Sequence, residues 1–268
     1  MIYAPKGDHG LWDTWLYYHN GMHYLYYLKA GDDLKTGNDI LYGANVLTSE
    51  DGVHFEDRGT IFDRRPDADW LGTGSTWKAG EKFIMNFSES RDGVQAVFFA
   101  ESDDLIHWDV LGDEYRSDPD PQWYDNTATG RWDCIWCIPK PQGAGFWGYL
   151  SANPWHISQR PDGLPYRSVG MVESDDGRHW RAVAPPVIDW GDVPGNITEV
   201  GAVEKIGDRY YMILGGELLD CMGMFTFVAD DPKGPFRPDP EAMGLLTAAG
   251  GPRMAHFARF YPTYPELL

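Results

Sequence analysis

Short runs of apolar and aromatic residues alternate with glycine-containing turns along most of the chain, and this pattern recurs four times. In each recurrence an apolar strand follows such a turn, and these four strands cover 23–28, 82–87, 146–150 and 209–214. A second apolar run follows each of them, at 41–47, 94–100, 168–172 and 222–228. No amphipathic stretch is long enough for a stable helix, so the pattern predicts an all-β protein.

A seven-residue motif closes each of the first three recurrences. It reads Ser, an acidic residue, Asp, two variable residues, His, and then Phe or Trp, and it occupies 49–55, 102–108 and 174–180, with a degenerate copy at 229–236. Asp and Ser side chains accept or donate hydrogen bonds to the backbone in tight turns, and the aromatic residue then returns to the sheet. The motif therefore predicts a strand–turn–strand corner in which His54, His107 and His179 are structural.

About four short strands in roughly 50 residues is the size of a β-propeller blade. We therefore predict a single propeller domain over 1–268. Residues 254–261 look like the first strand of a fifth blade without the turn motif that should follow. The prediction is a five-bladed β-propeller with an incomplete or irregular fifth blade, and blades at about 11–60, 70–112, 131–188, 197–240 and from 254.

Composition and net charge exclude several classes of function. The chain has 268 residues with 22 Lys and Arg against 41 Asp and Glu, a net charge of −19, which argues against binding nucleic acid or an anionic membrane surface. No run approaches the ~20 apolar residues of a membrane span and the N-terminus has no signal-peptide core, which favours a cytoplasmic location. Three cysteines, Cys134, Cys137 and Cys221, predict buried thiols rather than a disulfide framework or a zinc site.

Three acids fall at equivalent positions of the innermost strands, which line the channel of a propeller. They are Asp13, Asp133 and Glu199, whereas the second blade offers only 72–76 without a carboxylate. Like charges held close together oppose one another's ionisation, so such a cluster is costly unless it serves a reaction. Cleavage of a glycosidic bond needs one protonated and one ionised carboxyl group. Aromatic residues beside the acids suit the stacking of sugar rings.

These motifs resemble the five-bladed propeller glycoside hydrolases of family 32 (invertases and fructanases) and family 43 (arabinofuranosidases and xylosidases). The turn at 102–108 looks like the family S-x-D-L-x-H-W turn. Asp13 matches the N-terminal catalytic Asp, Arg131 and Asp133 are similar to the R-D-P element, and Glu199 matches the acid/base Glu. Trp132 separates Arg131 from Asp133, which are adjacent in the family. Slightly more of the motifs are similar to those of family 32 than to those of family 43.

The resemblance implies a glycoside hydrolase acting on a β-fructofuranoside, arabinofuranoside or xyloside at a non-reducing end. Asp13 would be the nucleophile of a retaining enzyme, which we favour, or the base of an inverting one. Glu199 would be the general acid, and Asp133 would tune it. Substrate-binding residues are predicted to be Trp12, Trp15, Ser75, Trp77, Arg131, Trp132, Trp136 and His256.

Two other functions remain open at this stage. One is a non-catalytic propeller that binds glycan or protein, and the other is a glycoside phosphorylase with a phosphate pocket around Arg131, Arg253 and His256. The expected partner is an oligosaccharide or a small glycoside. We expect no cofactor and no metal ligands, apart from a structural cation in the channel as an alternative.

Overall fold

A computed structural model describes most of the chain. The described residues are 3, 5, 9–31, 41–143, 145–155, 168–191, 195–218, 221–249 and 258–261. Within them, helix is confined to two three-residue 3₁₀ turns, Asp113–Tyr115 and Pro141–Gly143. No helix in this part of the chain is long and apolar enough to cross a membrane.

Seventeen strands make up the described structure. In chain order they are β1 (His9–His19), β2 (Met22–Gly31), β3 (Leu41–Ser49), β4 (Glu56–Asp63), β5 (Trp70–Ala79), β6 (Lys82–Arg91), β7 (Val94–Ser102), β8 (Asp109–Val110), β9 (Trp132–Pro139), β10 (Phe146–Ala152), β11 (Ser168–Ser174), β12 (Arg181–Val183), β13 (Gly195–Ile206), β14 (Arg209–Leu218), β15 (Cys221–Ala229), β16 (Arg237–Pro238) and β17 (Gly244–Ala249).

The strands form four antiparallel sheets in chain order, which are the blades of a propeller. Their orders are β1-β2-β3-β4, β5-β6-β7-β8, β9-β10-β11-β12 and β13-β14-β15-β16. The first strand of each sheet lies innermost, and β5 contacts both β1 and β9, while β9 contacts β13. The predicted all-β propeller arrangement is confirmed.

The predicted number of blades is wrong, because the structure shows four in the described residues rather than five. The apolar run β17 does not begin a new sheet but pairs with β15 as an additional strand of the fourth blade. Of the segment expected to open a fifth blade, 254–257 lie outside the described residues, and 258–261 form no strand.

The repeated turn motif forms as its residue types predict. In the third blade, the Asp176 carboxylate accepts hydrogen bonds from the backbone N–H groups of Arg178 and His179, at 2.8 and 2.9 Å, and its second oxygen lies 2.7 Å from the His179 ring. Asp51 and Asp104 make the same set of bonds. These bonds outweigh burial and hold the pKa of Asp104 down at about 2. All three histidines lie on exposed turns away from the channel.

The core consists of three hydrophobic clusters, one at each interface between consecutive blades. Blades 1 and 2 meet around Trp15 and Phe98, blades 2 and 3 around Trp77 and Trp132, and blades 3 and 4 around Tyr149. Apolar surface removed from water at these interfaces fixes the angle between successive sheets and so aligns the inner strands.

Residues 258–261 lie across the inner strands of several blades. The Ala258 carbonyl approaches Gly201 of β13 so closely that a side chain there would collide with it. Phe260 packs on the cluster between blades 3 and 4, and the Tyr261 hydroxyl lies 2.6 Å from the His23 ring of β2. This segment therefore connects the fourth blade to the first through the channel.

Candidate active site

Each of the four inner strands departs from regular pairing at the same level of the channel. The register shifts lie between Leu11 and Thr14 in β1, between Leu71 and Gly74 in β5, and between Ile197 and Glu199 in β13. In β9 the shift lies beside Cys134, whose φ is 52°. A bulge re-aims side chains locally. At these four shifts stand Asp13, Thr73, Asp133 and Glu199.

The three predicted acids line one cavity together with Arg131. We name it the carboxylate cavity; it has a volume of about 110 Å³ and is lined by Asp13, Thr73, Arg131, Asp133, Cys134, Ser151, Glu199 and Val200. One nitrogen of Arg131, Nη2, donates to Asp133 at 3.0 Å and to Glu199 at 2.8 Å. Acids from the third and fourth blades are thereby held on a single cation.

The positive charge of Arg131 offsets part of the negative charge of the two carboxylates. Burial opposes the guanidinium charge, but Coulombic attraction to Asp133 and Glu199 outweighs it and raises the pKa of Arg131 well above its ordinary value. The side chains of all three are largely shielded from water, with exposures of 13–20%.

Hydroxyl groups from neighbouring strands hold the acids and their backbone in place. Thr73 of the second blade donates to the Asp13 carboxylate. The fully buried Ser88 donates to Asp133 at 2.5 Å and accepts from the backbone N–H of Cys134 at 2.9 Å. Ser151 accepts from the N–H of Val200, next to Glu199, at 2.9 Å. Each bulge thus gives its freed polar groups a specific partner.

Arg259 contacts the backbone and side chains next to the carboxylate cavity. Its guanidinium donates to the Gly74 carbonyl of β5 and to the Cys134 sulfur of β9, the latter at 2.8 Å. Burial raises the pKa of the Cys134 thiol to about 11, although Arg259 opposes that rise, so the thiol is neutral and serves structure. The side chain of Arg259 thereby links β5 to β9 at the residue that follows Asp133.

A second, more open cavity continues outward from the first. We name it the outer groove; its volume is about 350 Å³, and it shares Arg131 and Asp133 with the carboxylate cavity. Its remaining lining includes Trp70, Gln95 and Asn153. A ring face and amide groups beside two charged residues form a surface suited to hydroxylated ligands.

The structure places several predicted substrate-binding aromatics in the core instead. Trp132 is fully buried, and its Nε1 lies 3.4 Å from Ser117. Trp15 is buried against Tyr26 and donates to Thr76. Their rings close the blade interfaces, and neither lines the carboxylate cavity.

Trp77, Trp136 and Ser75 also lie away from the acids. Trp77 donates to the Gly177 carbonyl and Trp136 to the Val203 carbonyl, while Ser75 is buried and donates to the Ile135 carbonyl. All three line a different cavity, deeper in the channel.

Two other predicted residues remain at the mouth, and one cannot be placed. Trp12, next to Asp13, is 48% exposed and keeps a ring available to a ligand, and Arg131 lies within the acid cluster. His256 lies outside the described residues.

The sequence alone did not identify Thr73, Ser88, Ser151 or Arg259 as site residues. Ser88 and Ser151 are buried polar residues near the ends of the second strands of blades 2 and 3, and this buried polar position was the available signal. Thr73 takes the place in the second blade that an acid takes in the other three.

No group of three or more potential metal-ligating side chains occurs among the residues whose placement is described. The acids of the cavity are held by an arginine and by hydroxyl groups.

Solved structures with the same fold include sugar-acting enzymes. The inulosucrase from Halalkalicoccus jeotgali bound to kestose matches 92% of this chain and 72% of its own, at 20% identity and a TM-score of 0.65. The GH43_1 enzyme from Xanthomonas citri complexed with xylose matches 85% and 72%, at 15% identity and a TM-score of 0.63. A GH43 β-xylosidase/α-arabinofuranosidase from a compost microbial metagenome matches 85% and 76%, at 13% identity and a TM-score of 0.62.

No protein-family model and no curated protein matches the chain. At these identities the structural matches show that the chain shares the β-propeller fold of these enzymes.

Proposed function

We propose that this protein is a glycoside hydrolase that cleaves a glycosidic bond at the non-reducing end of its substrate. The observation that carries the proposal is the convergence of Asp13, Asp133 and Glu199, from three different blades, on one cavity. The sugars of the structural neighbours, xylose, xylotriose and kestose, support a xyloside, arabinofuranoside or β-fructofuranoside as the substrate class.

Asp13 is proposed to attack the sugar carbon of the glycosidic bond, either directly as a nucleophile or by activating a water molecule. Among the described residues its hydrogen bond comes from the Thr73 hydroxyl, and it is exposed toward the mouth of the channel. An ionised carboxylate with one hydroxyl donor and open space before it is suited to act as a nucleophile or as a general base.

Glu199 is proposed as the general acid, with Asp133 tuning its protonation. A general acid must carry a proton, whereas the bond from Arg131 favours the carboxylate form. A sugar hydroxyl that competes for Arg131 would release Glu199 and leave it beside the negative charge of Asp133, which favours uptake of a proton. Substrate binding is thus proposed to prepare the acid.

The stereochemical outcome is a finer part of the proposal. The motifs close to family 32 favour a retaining reaction, whereas family 43, to which several structural neighbours belong, is inverting. Retaining enzymes hold the two carboxyl groups roughly 5–5.5 Å apart and inverting enzymes roughly 6.5–9.5 Å apart. Proton NMR of the first-formed anomer distinguishes the two mechanisms.

The outer groove supports a substrate larger than one sugar ring. It adjoins the acids through Arg131 and Asp133 and offers Trp70 for stacking and Gln95 and Asn153 for hydroxyl groups. We propose that the leaving group lies there, which favours oligosaccharides over glycosides with small leaving groups.

A non-catalytic sugar-binding propeller is the second candidate, and the Arg131 bridge favours it. An acid neutralised by an arginine can serve binding without turnover, as salt-bridged polar groups do in many binding sites. A phosphorylase is disfavoured, because Arg131 is already paired with two carboxylates and so offers little to a phosphate.

The test is a panel of xylo-, arabino- and fructo-oligosaccharides assayed for released monosaccharide. Wild-type protein should hydrolyse at least one of them, and Asp13→Asn should reduce turnover by at least about a thousandfold while the thermal midpoint is unchanged. The matched control is Asp208→Asn, an exposed turn residue outside the cavities. Sugar binding by calorimetry without turnover would instead establish the binding propeller.

A further inference from the structure

A third cavity lies deeper in the same channel. We name it the aromatic cavity; its volume is about 330 Å³, and its lining includes Tyr17, Trp77, Cys137 and Glu204. On their strands these four residues follow Asp13, Thr73, Asp133 and Glu199 by four or five positions. At the rise of a strand, that places them about 13 Å further along the channel.

Aromatic rings form most of the wall of this cavity. The six rings are those of Tyr17, Trp77, Trp136, Phe146, Phe260 and Tyr261. Tyr17, Trp77 and Trp136 are almost fully buried, so their positions are fixed by the core. Phe146 and Phe260 are partly exposed and stand where a ligand would contact them.

Among the described residues that line the cavity, Glu204 is the sole acid and Lys78 the sole base. Lys78 is exposed, and its ammonium group lies over the Phe83 ring, 5.5 Å from the centroid. Within the described part of the chain, Glu204 forms no ion pair, and the hydrogen bond that lowers its pKa comes from Trp136. The cavity thus combines six aromatic rings with one carboxylate that forms no ion pair among the described residues.

We propose that the aromatic cavity binds a small organic cation, of the quaternary or methylated ammonium class. Ring faces attract a cation through their quadrupole, and the attraction grows where water is excluded. The carboxylate of Glu204 supplies the opposite charge at the same place. The net charge of −19 favours the approach of cations to this protein. This site is separate from the proposed glycosidase chemistry and does not depend on it.

Binding should be coupled to the protonation of Glu204. Burial raises the pKa of Glu204 to about 7, so near neutrality a bound cation would displace a proton. The other ionisable groups that face the cavity are Lys78, Cys137, Tyr17 and Tyr261, and His23 contacts Tyr261. A Glu204→Gln variant separates the titration of Glu204 from that of these neighbours.

The test is isothermal titration calorimetry of the full chain with choline at pH 8.5 and physiological salt. The matched neutral probe is 3,3-dimethylbutan-1-ol, which has the shape of choline without its charge. We expect choline to bind at least about tenfold more tightly than the alcohol. At pH 5.5 the affinity for choline should fall about tenfold or more, toward that of the Glu204→Gln variant, because Glu204 is then protonated.

Variants locate the site. Glu204→Gln should weaken choline binding about tenfold or more and abolish its pH dependence, and Phe146→Leu should weaken it severalfold without affecting the alcohol. Asp208→Asn, which removes a charge from the nearby turn between β13 and β14, should leave choline affinity unchanged. Thermal midpoints confirm that each variant is folded.

Three outcomes would overturn the proposal. Equal affinities for choline and the alcohol would show that charge is not recognised. Unchanged choline binding by Glu204→Gln would place the cation elsewhere on this acidic surface. Failure of both probes to bind wild-type protein would show that the cavity does not accept a small molecule.

Discussion

Two levels of one channel, built on the same four inner strands, give acidic residues opposite surroundings. At the outer level Asp133 and Glu199 share the guanidinium of Arg131, and hydroxyl groups donate to Asp13 and Asp133. At the deeper level Glu204 lies among aromatic rings, where burial raises its pKa to about 7. Glu199 and Glu204 are the same type of residue on the same strand, and their surroundings differ in charge and polarity.

The backbone differs between the two levels as well. The outer level coincides with a register shift in every inner strand, whereas at the deeper level Tyr17, Trp77 and Glu204 are in regular pairing with their second strands. Bulges turn polar side chains into the mouth, and regular pairing packs large rings tightly. In this fold, therefore, the residues of the candidate active site lie where the pairing of the inner strands is irregular.

The largest expected effect comes from removing the cation of the outer level. Arg131→Met should lower the free energy of unfolding by about 2–4 kcal/mol at pH 7.5, because two shielded carboxylates then lose the cation that lies between them. The loss should shrink toward pH 4, where protonation removes the repulsion. Chemical denaturation at both pH values measures it, and an equal loss at both would show that Arg131 acts through packing alone.

At the deeper level, removing a charged group should have the opposite effect on the free energy of unfolding. Because its folded-state pKa is raised, Glu204 contributes stability that is fully present below its ordinary pKa and is lost as the pH rises through about 7. Glu204→Gln should therefore stabilise the protein by about 1–3 kcal/mol at pH 8.5 and leave it nearly unchanged at pH 4.5. Thermal unfolding at the two pH values checks this, and a pH-independent effect would contradict it.

The hydroxyl supports of the outer level can be separated from its charges. Ser88→Ala leaves the buried N–H of Cys134 without its acceptor and frees Asp133 from one donor. It should cost about 1–2 kcal/mol of stability and reduce kcat about tenfold, with little effect on KM. Ser151→Ala, which removes a bond to the backbone only, is the matched control. Equal kinetic losses in both would argue that Asp133 needs no orientation.

The smallest effect is expected at the turns that close the blades. Asp176→Asn weakens the bonds to His179 and the backbone, which together hold the pKa of Asp176 below its ordinary value. It should cost about 0.5 kcal/mol at pH 7 because the group is half exposed, and less as the pH falls through that lowered pKa. Catalytic rates should not change, since the turn contributes no residue to the carboxylate cavity.

The sequence supported prediction of the blades because their signals are local. Asp51, Asp104 and Asp176 cap turns with hydrogen bonds to residues two and three positions away, so the turn can be predicted from the motif itself. The fifth blade was predicted wrongly because an apolar run does not reveal whether it will pair into a sheet. Of the run at 254–261 that was expected to open this blade, the described residues 258–261 form no strand and lie against inner strands of other blades.

The acids of the candidate site could be predicted from their equivalent places in the blades, but their supports could not. Thr73, Ser88 and Arg259 act through contacts between residues 45 to 125 positions apart, which depend on how the blades pack. Trp132 was predicted to bind substrate because it precedes Asp133 in the sequence. That position does not show which side of the strand faces the channel.

The most direct test of the central claim is the dependence of Glu199→Gln on the leaving group. For the sugar that the protein hydrolyses, kcat/KM is measured with a sugar leaving group and with an activated aryl leaving group. If Glu199 is the acid of the carboxylate cavity, the variant should lose at least about a thousandfold on the sugar leaving group and far less on the aryl group. An undiminished rate on the oligosaccharide, or equal losses on both, would contradict that account.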